Sequence, residues 1–349
     1  AGPPEQKVEP EQKVEKIEKF LVIMGAVFPT HPSYDFSNPL QQQAYWLTKR
    51  MEEKHDVTVV CREGSSPFKS MVNFTHDLEK VAYAEVKEQV KWEEYQLIVD
   101  FSTEKWSYQI AKGKNLKVLY VTHPLLGYET PPPLRYPCMT GVSNAHCAHL
   151  SRETGIPVRK LPFGCELVEG DFKREDKDYL LYFGRVVKEK GVHELISLCK
   201  KRRLELVVAG DDRSEMGIEP EYVHRILEEC DGGMIHYVGS VDESVKLKLI
   251  SQAHALVIPY LSDTDAFTCL TAKAATLLKV PVIALKRGAV SEFIDQGENG
   301  FYVNSIEDLD SFDFEHLDEL TFEDAALERA RPAYGRFEAL IQEAIASPW

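Results

Sequence analysis

The sequence predicts an α/β protein with two doubly wound domains facing each other across a cleft. Three observations point there. Short apolar runs rich in β-branched residues recur, each followed by a helix-like pattern. Fully apolar strands that alternate with helices form parallel sheets covered on both faces. The runs fall into two sets, parted by KLPFGCELVEGDFKREDKD (160–178), which holds Pro and Gly and then turns strongly charged, as an interdomain linker does. The 349 residues, 44% hydrophobic and 28% charged, suffice for two domains of ordinary size in a soluble globular protein.

The elements follow in order. Residues 1–19, AGPPEQKVEPEQKVEKIEK, nearly repeat themselves and hold few apolar side chains, so a disordered or loosely helical leader is expected. Residues 20–163 form the first domain, with strands expected at 20–28, 56–61, 97–101, 117–123, 138–143 and 158–163. Residues 164–325 form the second, with strands expected at 179–185, 204–210, 234–239, 255–260, 281–285 and 300–303. Residues 326–349 read as helical apart from Pro332 and Gly335, and this helix is expected to pack back on the first domain.

The charge balance narrows the partners. A net charge of −15 and a pI of about 5.3 repel phosphate backbones and argue against nucleic acid. An anionic ligand must then be held by a local basic site. The seven cysteines show no zinc-knuckle spacing and read as reduced thiols of a cytoplasmic protein. The sequon Asn73-Phe74-Thr75 then reads as chance. The longest apolar run, Phe20 to Phe28, is too short to span a bilayer and lacks a basic flank, so neither a transmembrane segment nor a signal peptide is expected.

Five stretches carry chemistry. In YFGRVVKEKGVHELISL (182–198) a strand ends at Gly184, which permits close backbone approach. Arg185 and Lys190 follow around a helix start. They read either as surface cations or as a clamp on a diphosphate, guanidinium as a fork and ammonium as a point charge. In DAFTCLTAKAATLLKV (265–280) a small-residue helix begins near Thr268, Cys269 and Leu270. Its free N–H groups suit a phosphate. Asp265 reads as a plain N-cap or as an acceptor for sugar hydroxyls. In KRGAVSEFIDQGENGFYV (286–303) the glycines are structural, and Glu292 sits on a short helix as a structural or a ligand residue. His123 ends an apolar strand, as a structural histidine or a hydrogen-bond partner for a sugar. VVAGDDRSE (207–215) and IHYVGSVDES (235–244) end strands at Gly210 and Gly239, leaving room for a base or ribose or simply terminating the strand.

The order of these stretches is more telling than any one of them. FGRVVKEKG, VVAGDD, HYVGSVDE, PYLSDTDAFTCLTAKAATLLKVPVIALKRGAVSEFI and GENGFYV together resemble the C-terminal half of glycosyltransferase family 4. GVSNAHCAHL (141–150) and VRKLPFGCELVEGDF (158–172) resemble the end of that family's first domain and its linker. The resemblance implies GT-B architecture, two Rossmann-like domains, and retaining transfer of a sugar from a nucleoside diphosphate to an acceptor hydroxyl, with no metal or other cofactor. Arg185 and Lys190 match the family's diphosphate pair. Asp265 falls at the first motif Glu, which contacts the donor sugar. Phe267, Thr268, Cys269 and Leu270 lie where backbone amides meet the phosphates, and His123 matches a histidine near the transferred sugar.

The chain also departs from that pattern. Lys273 stands where relatives carry a second Glu that accepts from the ribose hydroxyls, and an ammonium accepts nothing. Thr268 replaces a glycine, and the loop FPTHPSYDFSNPLQQQAYW (28–46) lacks the family's glycine pair. The leading expectation is an active transferase. The rival is a catalytically degenerate relative that binds nucleotide sugars or serves as a partner subunit.

Overall fold

A computed structural model describes residues 18–24, 39–65, 67–75, 84–102, 116–122, 138–175, 177–210, 219–315 and 317–346. The expected leader, the expected strand end after Met24 and most of the 28–46 loop lie outside these residues.

The first sheet comprises β1 (Lys19–Ile23), β2 (Asp56–Arg62), β3 (Met71–Phe74), β4 (Leu97–Asp100), β5 (Val118–Val121), β6 (Met139–Gly141) and β7 (Val158–Lys160). Its order is β3-β2-β1-β4-β5-β6-β7, with every pair parallel. The second sheet comprises β8 (Leu180–Phe183), β9 (Leu206–Ala209), β10 (Ile235–Gly239), β11 (Ala255–Ile258), β12 (Val282–Leu285) and β13 (Gly300–Val303). Its order is β10-β9-β8-β11-β12-β13, again all parallel. In this sheet the order reverses between β8 and β11, and at such a switch point the two following loops part and leave a crevice.

The helices are α1 (Pro39–Met51), α2 (Asn144–Thr154), α3 (Val192–Arg202), α4 (Pro220–Glu229), α5 (Glu243–Gln252), α6 (Leu270–Leu277), α7 (Val290–Phe293), α8 (Ile306–Asp310), α9 (Asp324–Ala330) and α10 (Tyr334–Ala346). Their starts follow local chemistry. Ser143 caps α2 by accepting from His146 N, and Asp242 caps α5 by accepting from Val245 N.

Strand β3 answers to no apolar run in the sequence. It is short, includes the exposed Asn73, and among the described residues pairs only with β2 at the sheet edge. An edge strand covered on one face has no need of a continuous hydrophobic stretch.

Two crossings join the domains, and they touch. The first is Phe163–Gly164–Cys165 and the second is Arg331–Pro332. A Cβ on Gly164 would lie 2.0 Å from the Arg331 carbonyl carbon, so only glycine fits there. Cys165 N donates to Ala330 O at 2.7 Å. Gln43 of α1 holds Gly164 from both sides, accepting from its N–H at 3.0 Å and donating to its carbonyl. After the second crossing, α10 buries Phe337, Leu340, Ile341 and Ala344 in the core of the first sheet. None of the seven cysteines is in a disulfide, and five of them are buried. Among the described residues no helix is long and apolar enough to cross a membrane.

Candidate functional site

The switch point of the second sheet gathers the charged residues. Strand β8 ends at Phe183 and turns through Gly184 into Arg185. Strand β11 ends at Ile258 and leads through Tyr260 to a 3-10 turn at Thr264–Ala266, which carries Asp265. Arg185 Nη2 lies 3.4 Å from Asp265 Oδ1, and Lys190 Nζ lies 3.8 Å from the same oxygen. Among the described residues, two cations thus share one carboxylate.

Backbone geometry makes the approach possible. Lys190 ends a 3-10 turn that closes on Gly191, whose φ is +66°. A Cβ at Gly191 would lie 2.1 Å from Pro259 O. Glycine therefore lets the loop after β8 press against the loop after β11, which carries Lys190 to Asp265.

Two buried tyrosines support the cations. Tyr182 Oη donates to Arg185 O at 2.6 Å and fixes the loop's first bend. Lys190 Nζ stands 3.7 Å from the centroid of the Tyr260 ring, where the ring face attracts the ammonium. Burial pulls Lys190 down to about 8, against the opposing pull of Asp265 and Cys269. An ammonium held this close to neutrality gains much from a bound anion. Tyr260 escapes sequence reading because it closes an apolar run and looks like the last residue of a strand.

The surroundings of Lys190 and Asp265 bear on the bland readings of both. Lys190 is 8% exposed and is no surface lysine. Asp265 caps no helix: Cys269 holds the N-cap position of α6, without a side-chain cap bond, and Asp265 faces the two cations instead. Among the described residues, then, no N-cap side chain accepts from the first-turn N–H groups of α6.

The three glycines at strand ends lie side by side. Gly184 N donates to Ala209 O at 3.0 Å, and Gly210 N donates to Gly239 O at 2.9 Å. A Cβ on Gly210, at φ +149°, would meet Gly184 O at 1.8 Å. Gly239 has φ +71° and ends β10.

Residues 267–273 divide between two surroundings. The side chains of Phe267 and Leu270 belong to the core of the first domain. Phe267 stacks on His146 of α2, centroids 5.1 Å apart. His146 accepts from Val142 N at Nδ1 and is brought down to about 3 by burial, so it stays neutral. Lys273 points to the interdomain crossing and donates to Phe163 O. It is 7% exposed, and burial lowers it to about 8.

Glu292 has a structural task between the domains. Its carboxylate accepts from Asn144 N at 2.9 Å and Ala145 N at 3.1 Å, and pairs with Lys160 Nζ at 2.9 Å. Burial pushes its carboxyl upward, but the two N–H groups and Lys160 outweigh that and hold it below the usual range. His123 lies outside the described residues.

The comparisons with known proteins fit this geometry. Residues 166–312 match the family model described as Glycosyl transferases group 1. The lipopolysaccharide 1,2-N-acetylglucosaminetransferase of Salmonella typhimurium is 28% identical over 137 residues, which are 37% of this chain and 35% of that protein. A glycogen synthase of Mycobacterium tuberculosis is 29% identical over 152 residues, 42% of this chain and 34% of that one. The matches thus span about a third of those relatives. Anabaena Alr3699/HepE, solved with UDP and glucose, superposes with a TM-score of 0.70 at 15% identity, covering 95% of this chain and 100% of its own. Sucrose-phosphate synthase from Thermosynechococcus elongatus gives 0.70 at 16% identity, covering 93% and 97%. The fold is GT-B, with two Rossmann-like domains.

Proposed function

We propose, from the GT-B fold and the group 1 match over residues 166–312, that this chain is a retaining, metal-independent glycosyltransferase of family 4 type. It would move a sugar from a nucleoside diphosphate to an acceptor hydroxyl. The observation that carries this reading is the convergence of Arg185 and Lys190 on Asp265 at the switch point, beside the uncapped start of α6.

In this reading the diphosphate lies between Arg185, Lys190 and the first-turn amides near Thr268. The bond between the anomeric carbon and the phosphate oxygen breaks, and its electron pair stays on the phosphate. The two cations meet the charge that develops there, so they favour the transition state over the ground state. The acceptor oxygen bonds to the anomeric carbon on the face the phosphate leaves, and its proton passes to the departing phosphate oxygen. Asp265 orders both cations and offers an acceptor to the sugar hydroxyls. Gly184, Gly210 and Gly239 leave space along the strand ends for the nucleoside.

The test is nucleotide release from UDP-, GDP-, ADP- and TDP-sugars, with and without candidate acceptors. UDP-glucose leads the panel because the Anabaena neighbour was solved with it. Arg185→Ala and Lys190→Ala should each lower release about a hundredfold or more, with unchanged circular dichroism. Full turnover in both variants would defeat the clamp.

Lys273 favours a second reading, a degenerate nucleotide-sugar binder or partner subunit. Its ammonium is committed to the interdomain crossing at Phe163 O, where it accepts no hydroxyl proton. Donor binding without release, across the whole panel, would select that reading.

A further inference from the structure

Helix α5 opens with an ion pair that surface chemistry does not explain. Glu243 and Lys246 stand one turn apart and are bonded to each other, yet they are only 4% and 7% exposed. Glu243 does not cap the helix, a task that falls to Asp242. Its Oε2 accepts from Lys246, while its Oε1 is buried with no hydrogen-bond partner among the described residues. The ammonium of Lys246 has two N–H groups beyond the one it gives to Glu243. A buried carboxylate oxygen without a donor is costly, and a ligand that brings a donor removes that cost.

The pair stands beside the strand ends. Lys246 Nζ lies 6.0 Å from the centroid of the Phe183 ring, and Phe183 is the last residue of β8, directly before Gly184 and Arg185. Phe183 is half-buried, so part of its ring is open. Strand β10 ends at Gly239, four positions before Glu243. Among the described residues beyond its chain neighbours, a Cβ at Gly239 would meet nothing nearer than Tyr237 Cε1 at 4.0 Å, whereas one at Gly210 would strike Gly184 O. The room along the strand ends therefore lies at β10, where α5 begins. The pair also neighbours Cys165 of the first crossing, whose thiol feels Glu166 and Lys273 as well.

We propose that Glu243 and Lys246 read the base of the donor nucleotide, and that this base is guanine. The proposal rests on the glycosyl-transfer reading and names the donor class for that site. A carboxylate beside an ammonium calls for donors and an acceptor along one edge of a ring. Guanine offers both: N1–H and the 2-amino group donate to Glu243, O6 accepts from Lys246, and the ring lies against Phe183. Uracil and thymine hold one N–H between two carbonyls, which sets an oxygen against the carboxylate. Adenine offers one amino donor beside a bare ring nitrogen. A site built for two donors rejects a base that lacks them, because its buried acceptor is then left unpaired. Anabaena Alr3699/HepE was solved with UDP, but at 15% identity the likeness extends to the fold and not to the base.

Calorimetry on the full chain compares GDP, IDP, ADP, UDP and inorganic pyrophosphate. GDP should bind about tenfold or more tighter than UDP or ADP. IDP, which lacks only the 2-amino group, should bind about tenfold more weakly than GDP, a comparison that needs no variant. Glu243→Gln should bring GDP and UDP to within about threefold of each other. A merely structural role for Glu243 would weaken both nucleotides and leave their ratio as it was. The base reading is overturned, with the diphosphate clamp intact, if pyrophosphate binds but GDP is no tighter than UDP or ADP. It is equally overturned if IDP matches GDP or if Glu243→Gln keeps the full preference for GDP. If neither pyrophosphate nor any nucleotide binds at millimolar concentration, the glycosyl-transfer reading falls and the base reading falls with it.

Discussion

Lys190 Nζ stands 3.7 Å from the centre of the Tyr260 ring and 3.8 Å from Asp265 Oδ1, so one ammonium is held by a ring face and a carboxylate together. The ring matters because the site is desolvated: a cation over an aromatic face contributes about 2 kcal/mol there, against half that at a surface. Tyr260→Phe keeps the face and should leave UDP affinity within about threefold. Tyr260→Leu removes it and should weaken UDP about tenfold or more. Calorimetric Kd values for both variants decide. Equal losses in the two would assign the effect to the hydroxyl beside Cys269, not to the ring.

Lys273 makes stability depend on alkaline pH. Burial lowers it from 10.5 to about 8, with Cys165, Cys269, Lys160 and Glu292 as its charged or titratable neighbours. Between those values the unfolded chain binds more protons than the folded one. Stability therefore rises as pH climbs through that window. Relative to Lys273→Met, the wild type should gain roughly 3 kcal/mol from pH 8 to 10.5. Lys190 is present in both proteins and cancels. Urea midpoints at pH 7.5 and 10 measure the difference, and a gap that stays constant with pH would contradict the burial of this ammonium.

Glu292 should matter to the joint between the domains more than to ligand binding. Glu292→Gln loses the ion pair with Lys160 and weakens the bonds to Asn144 N and Ala145 N. A cap of this kind is worth about 1–2 kcal/mol at neutral pH. Because the folded carboxyl is held below its ordinary value, its contribution is present above that value and is lost as pH falls through the folded one. Chemical denaturation at pH 7 and at pH 3 should show a clear gap between the proteins at the first and little at the second. A larger loss in UDP affinity than in stability would make Glu292 a ligand residue.

Particular residues show where the sequence could be read and where it could not. The strand at Leu180–Phe183 and the glycine turn after it were legible, because apolar runs and glycine positions are local properties. Strand β3 was not, since a short edge strand bears no apolar signature. Asp265 left two readings open, N-cap or ligand group. The choice rested on whether Cys269 or Asp265 sat at the helix start, a matter of one turn of backbone. Lys273 departs from the family pattern in the sequence itself, but its direction is hidden there: its partner, Phe163 O, is 110 positions away. Glu292 reads in the sequence as either structural or a ligand residue, and its contacts with α2 and Lys160 lie 148, 147 and 132 positions away.

The sequence by itself determined the alternation of strands and helices, the two-part layout and the residue types that can grip a phosphate, because periodicity, turn chemistry and charge are written within a few positions of one another. The tertiary structure alone decided which cations meet. Arg185 and Asp265 are 80 positions apart and come together only because β8 and β11 are neighbours at the switch point. It also decided how far each lysine is buried, and burial, which no single segment carries, sets whether an ammonium is a solvated ornament of the surface or a charge in need of a partner.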